Sequence, residues 1–256
     1  MKTLHDLLRS FASLAILMTT AGFASAATIN WGDFSDPEGS VTFVDVSEDN
    51  DEDSTVFDGE DGPDVMGNML IFDPQGFQSQ ASNGSDLIDS ELSFMVVPQE
   101  PTWIETIRIE EFGDYTLGGL SNGEAIASVG AVFFWTINEV DGEPVSLPMQ
   151  VTQLDVSGGG MYVRPDNDGT AQPWTGYAEL NVADVLEEFQ IDGDATKITV
   201  TFDNTLQTAA DNFSNAFIKK KGVKITVDTV DMKIPEPTTA MLAAFGIGAA
   251  FLRRRG

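Results

Sequence analysis

The acidic residues between positions 48 and 64 are the side chains in this sequence most suited to chemistry. Asp49, Asp51, Asp53 and Glu60 stand at offsets 1, 3, 5 and 12 of a calcium-binding loop, a spacing that lets their oxygens converge on one hard cation. Ser54 occupies the position where an EF-hand needs glycine, and no flanking helices are evident, so we expect no EF-hand. Two interpretations remain open, a looser Ca²⁺ site and a solvated acidic loop. Calcium is the one cofactor that the sequence suggests.

Two residue types are almost absent, and this excludes several kinds of active site. The chain has no cysteine, and its single histidine, His5, lies in a segment that we expect to be removed. The remaining chain therefore offers no Ser-His-Asp or Cys-His centre and no zinc site of the usual Cys/His kind. A glycosidase needs only two carboxyl groups, but the sequence contains no catalytic motif, so we expect a protein without catalytic activity. The formal net charge of −28 also argues against nucleic acid as a partner.

Aromatic side chains offer a second kind of site, because their rings can stack on the apolar faces of sugars. The candidates are Trp31, Trp103, Trp135, Trp174, Tyr115, Tyr162 and Tyr177. The apolar run Val132–Ile137 indicates that Trp135 packs in the core. Trp174 follows Pro173 in a turn-rich stretch, so the sequence predicts an exposed ring and makes Trp174 the preferred ligand-binding residue.

The three lysines at positions 219–221 form the only basic cluster before the C-terminal arginines. The simplest interpretation is that they protect an edge strand from aggregation. A salt link to the acidic loop is the alternative.

Period-two alternation of apolar and polar residues dominates the chain between the two ends. It is clearest in Leu92–Val96, Ile107–Ile109, Ile198–Phe202 and Val223–Val227. Turn signals such as Asn-Gly and Asp-Gly separate these segments, and there is no βαβ rhythm. The pattern predicts an all-β fold, an antiparallel two-layer sandwich of the jelly-roll type.

One short helix is predicted at Val182–Phe189, with Asn181 placed to cap its first turn. The acidic segment from Asp45 to Asp64 is interpreted as a long loop or an irregular edge.

The N-terminal 26 residues have the pattern of a signal peptide. Lys2 and Arg9 form a basic start, and the mostly apolar run 11–23 has the length of a signal-peptide core. Ala24 and Ala26 fit the small-x-small rule, which predicts cleavage by signal peptidase before Ala27.

The C-terminal residues combine three features in a fixed order. Pro235, Glu236 and Pro237 precede an uncharged apolar segment, Ala240–Leu252, and the arginines Arg253, Arg254 and Arg255 follow it. The apolar segment is short for a transmembrane span, at about 20 Å against a hydrocarbon core of about 30 Å. Clustered arginines beside such a segment are expected to stay on the cytoplasmic side.

This arrangement, over residues 234–256, resembles the PEP-CTERM sorting signal of exported bacterial proteins. The resemblance implies that an exosortase recognises Pro235, Glu236 and Pro237 and cleaves near them. It further implies a membrane-anchored intermediate in the inner membrane and delivery of the body to the cell surface or extracellular matrix.

Together these features predict three regions: a signal peptide at 1–26, an acidic β-sandwich at 27–233, and a sorting signal with a short transmembrane segment at 234–256. The expected function is that of an exported, non-catalytic surface or matrix protein associated with extracellular polysaccharide, as the resemblance implies. The alternative is a carbohydrate-binding module, with or without dependence on calcium.

Overall fold

The computed structural model describes residues 28–50 and 55–231. The predicted signal peptide, its predicted cleavage site and the predicted sorting signal lie outside these residues, as do Asp51 and Asp53. No helix within the described ranges combines the length and the apolar character needed to span a bilayer.

The described chain folds into fifteen strands and one α-helix. The strands are β1 (Ile29–Ser35), β2 (Val41–Asn50), β3 (Asp64–Met66), β4 (Met69–Phe72), β5 (Gln78–Ala81), β6 (Gly84–Pro98), β7 (Thr102–Gly119), β8 (Ala125–Val140), β9 (Glu143–Pro144), β10 (Gln150–Gln153), β11 (Asp155–Val156), β12 (Met161–Val163), β13 (Gly169–Asn181), β14 (Ala195–Ala210) and β15 (Ser214–Asp231). The helix α1 (Val182–Glu188) follows β13 directly.

The strands form two antiparallel sheets that pack face to face. Sheet A has the order β1-β2-β6-β14-β8-β10, with β9 and β12 also paired to β8. Sheet B has the order β11-β13-β7-β15-β4-β3, with β5 also paired to β15. The consecutive strands β14 and β15 lie in opposite sheets. The predicted fold class is confirmed: the protein is an all-β, jelly-roll-like sandwich with one short helix in its described residues.

Alternation along the long strands places one set of side chains in a common core. Ile107 and Ile109 of β7 face the core, as do Ile198, Val200 and Phe202 of β14, and all five are buried. Residues between them, such as Arg108 and Thr199, point to the outer faces. The alternation in the sequence therefore identified the inner face of these strands correctly.

The acidic segment contributes to the core, which is a correction to its interpretation as a loop. Strand β2 continues to Asn50, and Phe57 is fully buried against Phe72, Phe77 and Phe202, with ring centroids 5.2–5.9 Å apart. Burying the Phe57 side chain contributes roughly 1.5–3 kcal/mol to the free energy of folding. This gain outweighs the preference of the surrounding acidic residues for water.

Glu48 holds this segment in place from within the core. Its side chain is fully buried, and its carboxylate accepts hydrogen bonds from the backbone N–H groups of Val56 and Phe57 at 2.9 and 3.3 Å. The side chains of Asn50 and Ser90 donate to the same carboxylate at 2.7 and 2.8 Å. Four donors thus compensate for the removal of this acid from water.

The helix begins at the predicted residue, Val182, and ends at Glu188, one residue before the predicted end at Phe189. The Asn181 side chain accepts a hydrogen bond from the backbone N–H of Asp184 at 3.2 Å, which satisfies one free donor of the first turn. Val182, Val185 and Leu186 are buried and cover one end of the core.

The prediction for the lysine cluster is wrong. Strand β15 lies in the interior of sheet B, between β7 and β4, and Lys220 points into the core with no exposed surface. Neither lysine that forms a salt bridge in this cluster pairs with an acid of the acidic segment: Lys220 pairs with Glu111 and Lys221 pairs with Asp114. A β-bulge between Lys220 and Gly222 shifts the alternation, so both Ile218 and Val223 face inward.

Candidate functional site

A groove of about 550 Å³ crosses the outer face of sheet B. Two neighbouring rows of outward-facing residues form its floor. In one row Tyr177, Glu110 and Lys224 are register partners on β13, β7 and β15. In the other row Phe112 lies between Thr175 and Gly222. Asp155 of β11 lines the same groove.

Phe112 is half exposed, at 50% of its surface, although it lies on a central strand. Its ring extends over Gly222 of the adjacent strand, where an added Cβ would overlap the ring atoms Cε1 and Cζ. The absence of a side chain at Gly222 therefore lets the ring rest on the sheet. Such a ring presents an apolar surface to the groove at a fixed position.

Tyr177 is the second exposed ring of the groove, at 43% of its surface. It is a diagonal neighbour of Phe112 across the β7–β13 pair. In antiparallel strands the Cα atoms of such neighbours are roughly 7–8 Å apart. Its hydroxyl donates a hydrogen bond to Oε2 of Glu179 at 2.5 Å. That hydrogen bond is the main reason that the pKa of Tyr177 is raised.

Polar groups surround the two rings. Lys224 forms a salt bridge with Glu110, and both side chains are substantially exposed. The Ser157 side chain accepts a hydrogen bond from the backbone N–H of Thr175 at 3.0 Å. The groove therefore offers two apolar surfaces with donors and acceptors beside them, the combination that fixes a polar ligand in a mostly apolar site.

Trp174 does not belong to this groove, and the prediction of an exposed ring at this position is wrong. Its surface is 1% exposed, and its ring lies against Gly113 inside the sandwich. Strand β13 continues through Pro173 and Trp174, so alternation turns Trp174 inward and leaves Thr175 and Tyr177 outside. A ring buried in this way cannot stack on a ligand.

The other aromatic candidates lie mainly in the interior. Trp135 is buried as expected, and its Nε1 donates to the Thr152 hydroxyl at 3.2 Å. Tyr115 and Tyr162 are buried and stack on each other, with centroids 3.9 Å apart. Trp31 packs against the core beside Phe72, and its Nε1 donates to the carbonyl oxygen of Gly59.

A row of three acids crosses the outer face of sheet A. Asp49, Glu91 and Asp203 are register partners on β2, β6 and β14. Partial burial raises the pKa of both Glu91 and Asp203, and the nearby carboxylates of Asp203 and Asp49 raise that of Glu91 further. Like charges directly opposite one another in a sheet are destabilising.

The predicted calcium ligands that the structure describes, Asp49 and Glu60, lie in different parts of the protein. Asp49 belongs to the acid row on sheet A, and Glu60 is exposed in the turn that packs on Trp31. Within residues 28–50 and 55–231, no three acidic side chains are arranged to hold one metal ion. The calcium site stays a prediction, because Asp51 and Asp53 lie outside the described residues.

The sequence analysis missed two sets of residues that could take part in binding or chemistry: Phe112 in the groove, and the buried pair Glu111 and Lys220. Extending the alternation of Ile107 and Ile109 along β7 would have placed Phe112 outside and Glu111 inside. For Lys220 the alternation gave conflicting signals: Ile218 before it places it inside, whereas counting back from Val223 places Lys221 inside, because the bulge shifts the alternation between them.

No protein-family model matches the chain, and no curated protein matches it. Solved structures resemble it at low sequence identity. TmCBM61 in complex with beta-1,4-galactotriose has a TM-score of 0.24 at 10% identity, over 82% of this chain and 92% of that chain. The xylan-binding module CBM15 has a TM-score of 0.21 at 13% identity, over 79% and 97%. The family GH12 endoglucanase 3 of Trichoderma harzianum has a TM-score of 0.19 at 12% identity, over 81% and 100%. Scores this low say nothing about what this chain binds, so its function rests on its own residues.

Proposed function

We propose that this protein is an exported, non-catalytic component of the cell surface or extracellular matrix that binds a polysaccharide in the groove on sheet B. The observation that carries the proposal is the pair of exposed rings, Phe112 and Tyr177, which line one groove on neighbouring strands among polar groups. Rigid aromatic surfaces contribute binding area at low entropic cost, and the hydroxyl groups of a sugar can pair with Glu110, Lys224 and Asp155.

The charge of the protein favours a neutral polysaccharide over an acidic one. The chain has a formal net charge of −28, and the one lysine of the groove, Lys224, is already paired with Glu110. An anionic polymer would be repelled by the protein as a whole and would find little unpaired positive charge in the groove.

The two chain ends support the location. The basic and apolar start with small residues at Ala24 and Ala26 fits export, and the Pro-Glu-Pro motif with its terminal arginines fits sorting by an exosortase. Export would bring the groove into contact with polysaccharide outside the cell.

Binding of the full-length chain to a panel of neutral and acidic polysaccharides, by affinity electrophoresis, tests the proposal. We expect saturable binding to at least one neutral polymer, weakened about tenfold, or about 1.4 kcal/mol, by Phe112→Ala and by Tyr177→Ala. Phe213→Ala is the matched control, since Phe213 is a ring of similar exposure, at 46%, that does not line the groove. Gly222→Ala provides a second test, because it displaces the Phe112 ring without removing it.

Four outcomes would contradict parts of this proposal. Absence of saturable binding to every polymer, or equal binding by Phe112→Ala, Tyr177→Ala and Phe213→Ala, would exclude the groove as the site. Loss of binding in a chelator would favour the calcium-dependent alternative. Release of reducing sugar that disappears in Glu91→Gln or Asp203→Asn would identify an enzyme.

Mass spectrometry of the native protein tests the sorting step. We expect mature molecules that begin at Ala27 and lack the arginines at 253–255. An intact C-terminus on every mature molecule would contradict processing by an exosortase.

A further inference from the structure

A cluster of three polar side chains lies at the centre of the sandwich. Lys220 on β15 and Glu111 on β7 belong to sheet B, and Asn204 on β14 belongs to sheet A. Lys220 and Asn204 have no exposed surface, and Glu111 has 1%. The Lys220 Nζ lies 2.5 Å from Oε2 of Glu111 and also contacts Oδ1 of Asn204.

This cluster is incompletely satisfied as a set of hydrogen bonds. Within the described residues, three buried side-chain atoms have no hydrogen-bond partner: Oε1 of Glu111, Nδ2 of Asn204 and Nε1 of Trp174. Two of them belong to the cluster itself. An unpaired buried polar atom costs roughly 1–3 kcal/mol in general, so a noncovalent Lys-Glu-Asn cluster is an expensive arrangement.

The positions of the three groups match the requirements of an amide exchange reaction. Nζ of Lys220 is an amine that touches the carbonyl oxygen of the Asn204 amide, one covalent bond away from its carbon Cγ. The Glu111 carboxylate contacts the same amine. A nucleophile, an acyl carbon and a group able to carry protons are thus brought together in one buried place.

We infer that Lys220 and Asn204 join in an intramolecular isopeptide bond, with Glu111 as the residue that transfers protons. The Lys220 ammonium first gives a proton to the Glu111 carboxylate. The neutral amine attacks Cγ of Asn204, and the bond from Nζ to Cγ forms. Glu111 relays a proton from Nζ to Nδ2, the bond from Cγ to Nδ2 breaks, and ammonia leaves. The products are a secondary amide, ammonia and a protonated Glu111, so the reaction needs no oxidant and no further reactant.

The surroundings favour the neutral amine that this reaction requires. The Nζ lies 4.9 Å from the ring centroid of Phe77 and 5.6 Å from that of Phe57. Burial lowers the pKa of Lys220, against the opposing effect of Glu111. Exclusion of water also protects the amide from competing hydrolysis.

Formation of the bond would remove the features that make the noncovalent cluster energetically unfavourable. The unpaired Nδ2 of Asn204 leaves as ammonia, and two buried charges disappear. The new amide N–H can donate to Oε1 of Glu111, which gives that oxygen a partner. The bond would connect sheet A to sheet B across the core in a chain that has no cysteine for a disulfide.

Peptide mapping of the full-length protein by tandem mass spectrometry tests this inference directly. We expect a branched peptide in which the segment with Asn204 is attached to the side chain of Lys220, with the mass of one ammonia missing. Asn204→Asp should give the same branched peptide with loss of water in place of ammonia. Glu111→Ala should give unlinked peptides.

Exposed residues of the same type are matched controls for Lys220 and Asn204. Lys221→Arg and Asn215→Ala change these exposed residues and should retain the branched peptide, whereas Lys220→Arg and Asn204→Ala should abolish it. Ammonia can also be lost at Asn83-Gly84 or Asn122-Gly123 by cyclisation of asparagine, but those losses would map to other peptides and persist in Lys220→Arg.

The wild-type measurement decides the matter even where a core variant fails to fold. Unmodified peptides containing Lys220 and Asn204, with no branched peptide in the folded protein, would overturn the inference. The cluster would then be a buried ion pair alone.

Discussion

Lys220 and Glu111 form an ion pair with both side chains fully shielded from water. They lie on adjacent strands of sheet B and face Asn204 of sheet A across the core. Buried pairs of this kind are costly to form and more costly to break, because removing one partner leaves an uncompensated charge.

Replacing Lys220 should therefore destabilise the protein much more than replacing its neighbour. We expect Lys220→Met to lower the free energy of unfolding by about 3–5 kcal/mol through the unpaired Glu111. Loss of the inferred cross-link would have a similar magnitude, about 3 kcal/mol for a closed loop of this size. Lys221→Met, on the same strand but exposed, should change it by about 0.5 kcal/mol or less. Urea unfolding monitored by circular dichroism measures the free energy of unfolding of the two variants. Equal effects of Lys220→Met and Lys221→Met would contradict the assignment of Lys220 to the core.

Glu48 should be essential for the stability of the acidic segment. Removing its carboxylate in Glu48→Ala leaves the backbone N–H groups of Val56 and Phe57 without an acceptor, and we expect a loss of about 3 kcal/mol. Limited proteolysis should then cut within residues 51–64 faster than in the wild type. Glu60→Ala serves as the control, because Glu60 is exposed in the same segment. Unchanged proteolysis in Glu48→Ala would show that Phe57 alone holds the segment.

The acid row on sheet A predicts a stability that depends on pH. The pKa values of Glu91 and Asp203 are raised above their ordinary values of 4.5 and 3.8, so the folded protein retains protons that the unfolded chain releases. The resulting stabilisation is present below those ordinary values and is lost as the pH rises through the raised ones. We expect Glu91→Gln to gain a few tenths of a kcal/mol at about pH 7 and to gain nothing at about pH 3.5.

The control for this effect is Glu143→Gln, which removes one exposed acid elsewhere on sheet A. Urea unfolding of the two variants at both pH values distinguishes a stability effect of the acid row from an effect of lowering the net negative charge. A gain at pH 7 of the same size in Glu143→Gln would attribute the effect to net charge.

Trp174 should matter for folding and not for binding. We expect Trp174→Phe to lower stability by about 1–3 kcal/mol, because it removes buried ring volume against Gly113. The affinity for polysaccharide should remain that of the wild type, in contrast to Tyr177→Ala. Affinity electrophoresis at a temperature where the variant is folded makes the comparison. Weakened binding in folded Trp174→Phe would mean that the site extends into the sandwich.

Alternation of apolar and polar residues was sufficient to predict the sandwich, its inner strand faces and the helix with its Asn181 cap. These features depend on local patterns, because a strand or a short helix must bury one face whatever its neighbours are. The absence of cysteine, the near absence of histidine and the motifs from which export and sorting are predicted are likewise properties of the sequence alone.

Only the tertiary structure decided which residues meet. Trp174 faces inward because β13 continues through Pro173, and Phe112 becomes part of a groove because Gly222 lies beside it on another strand. One bulge in β15 selects Lys220, out of three adjacent lysines, to face the core. The partners Glu111 and Asn204 are 109 and 16 residues away along the chain. The pairing of strands and the shift of one residue in register bring them together, and neither is encoded in local sequence.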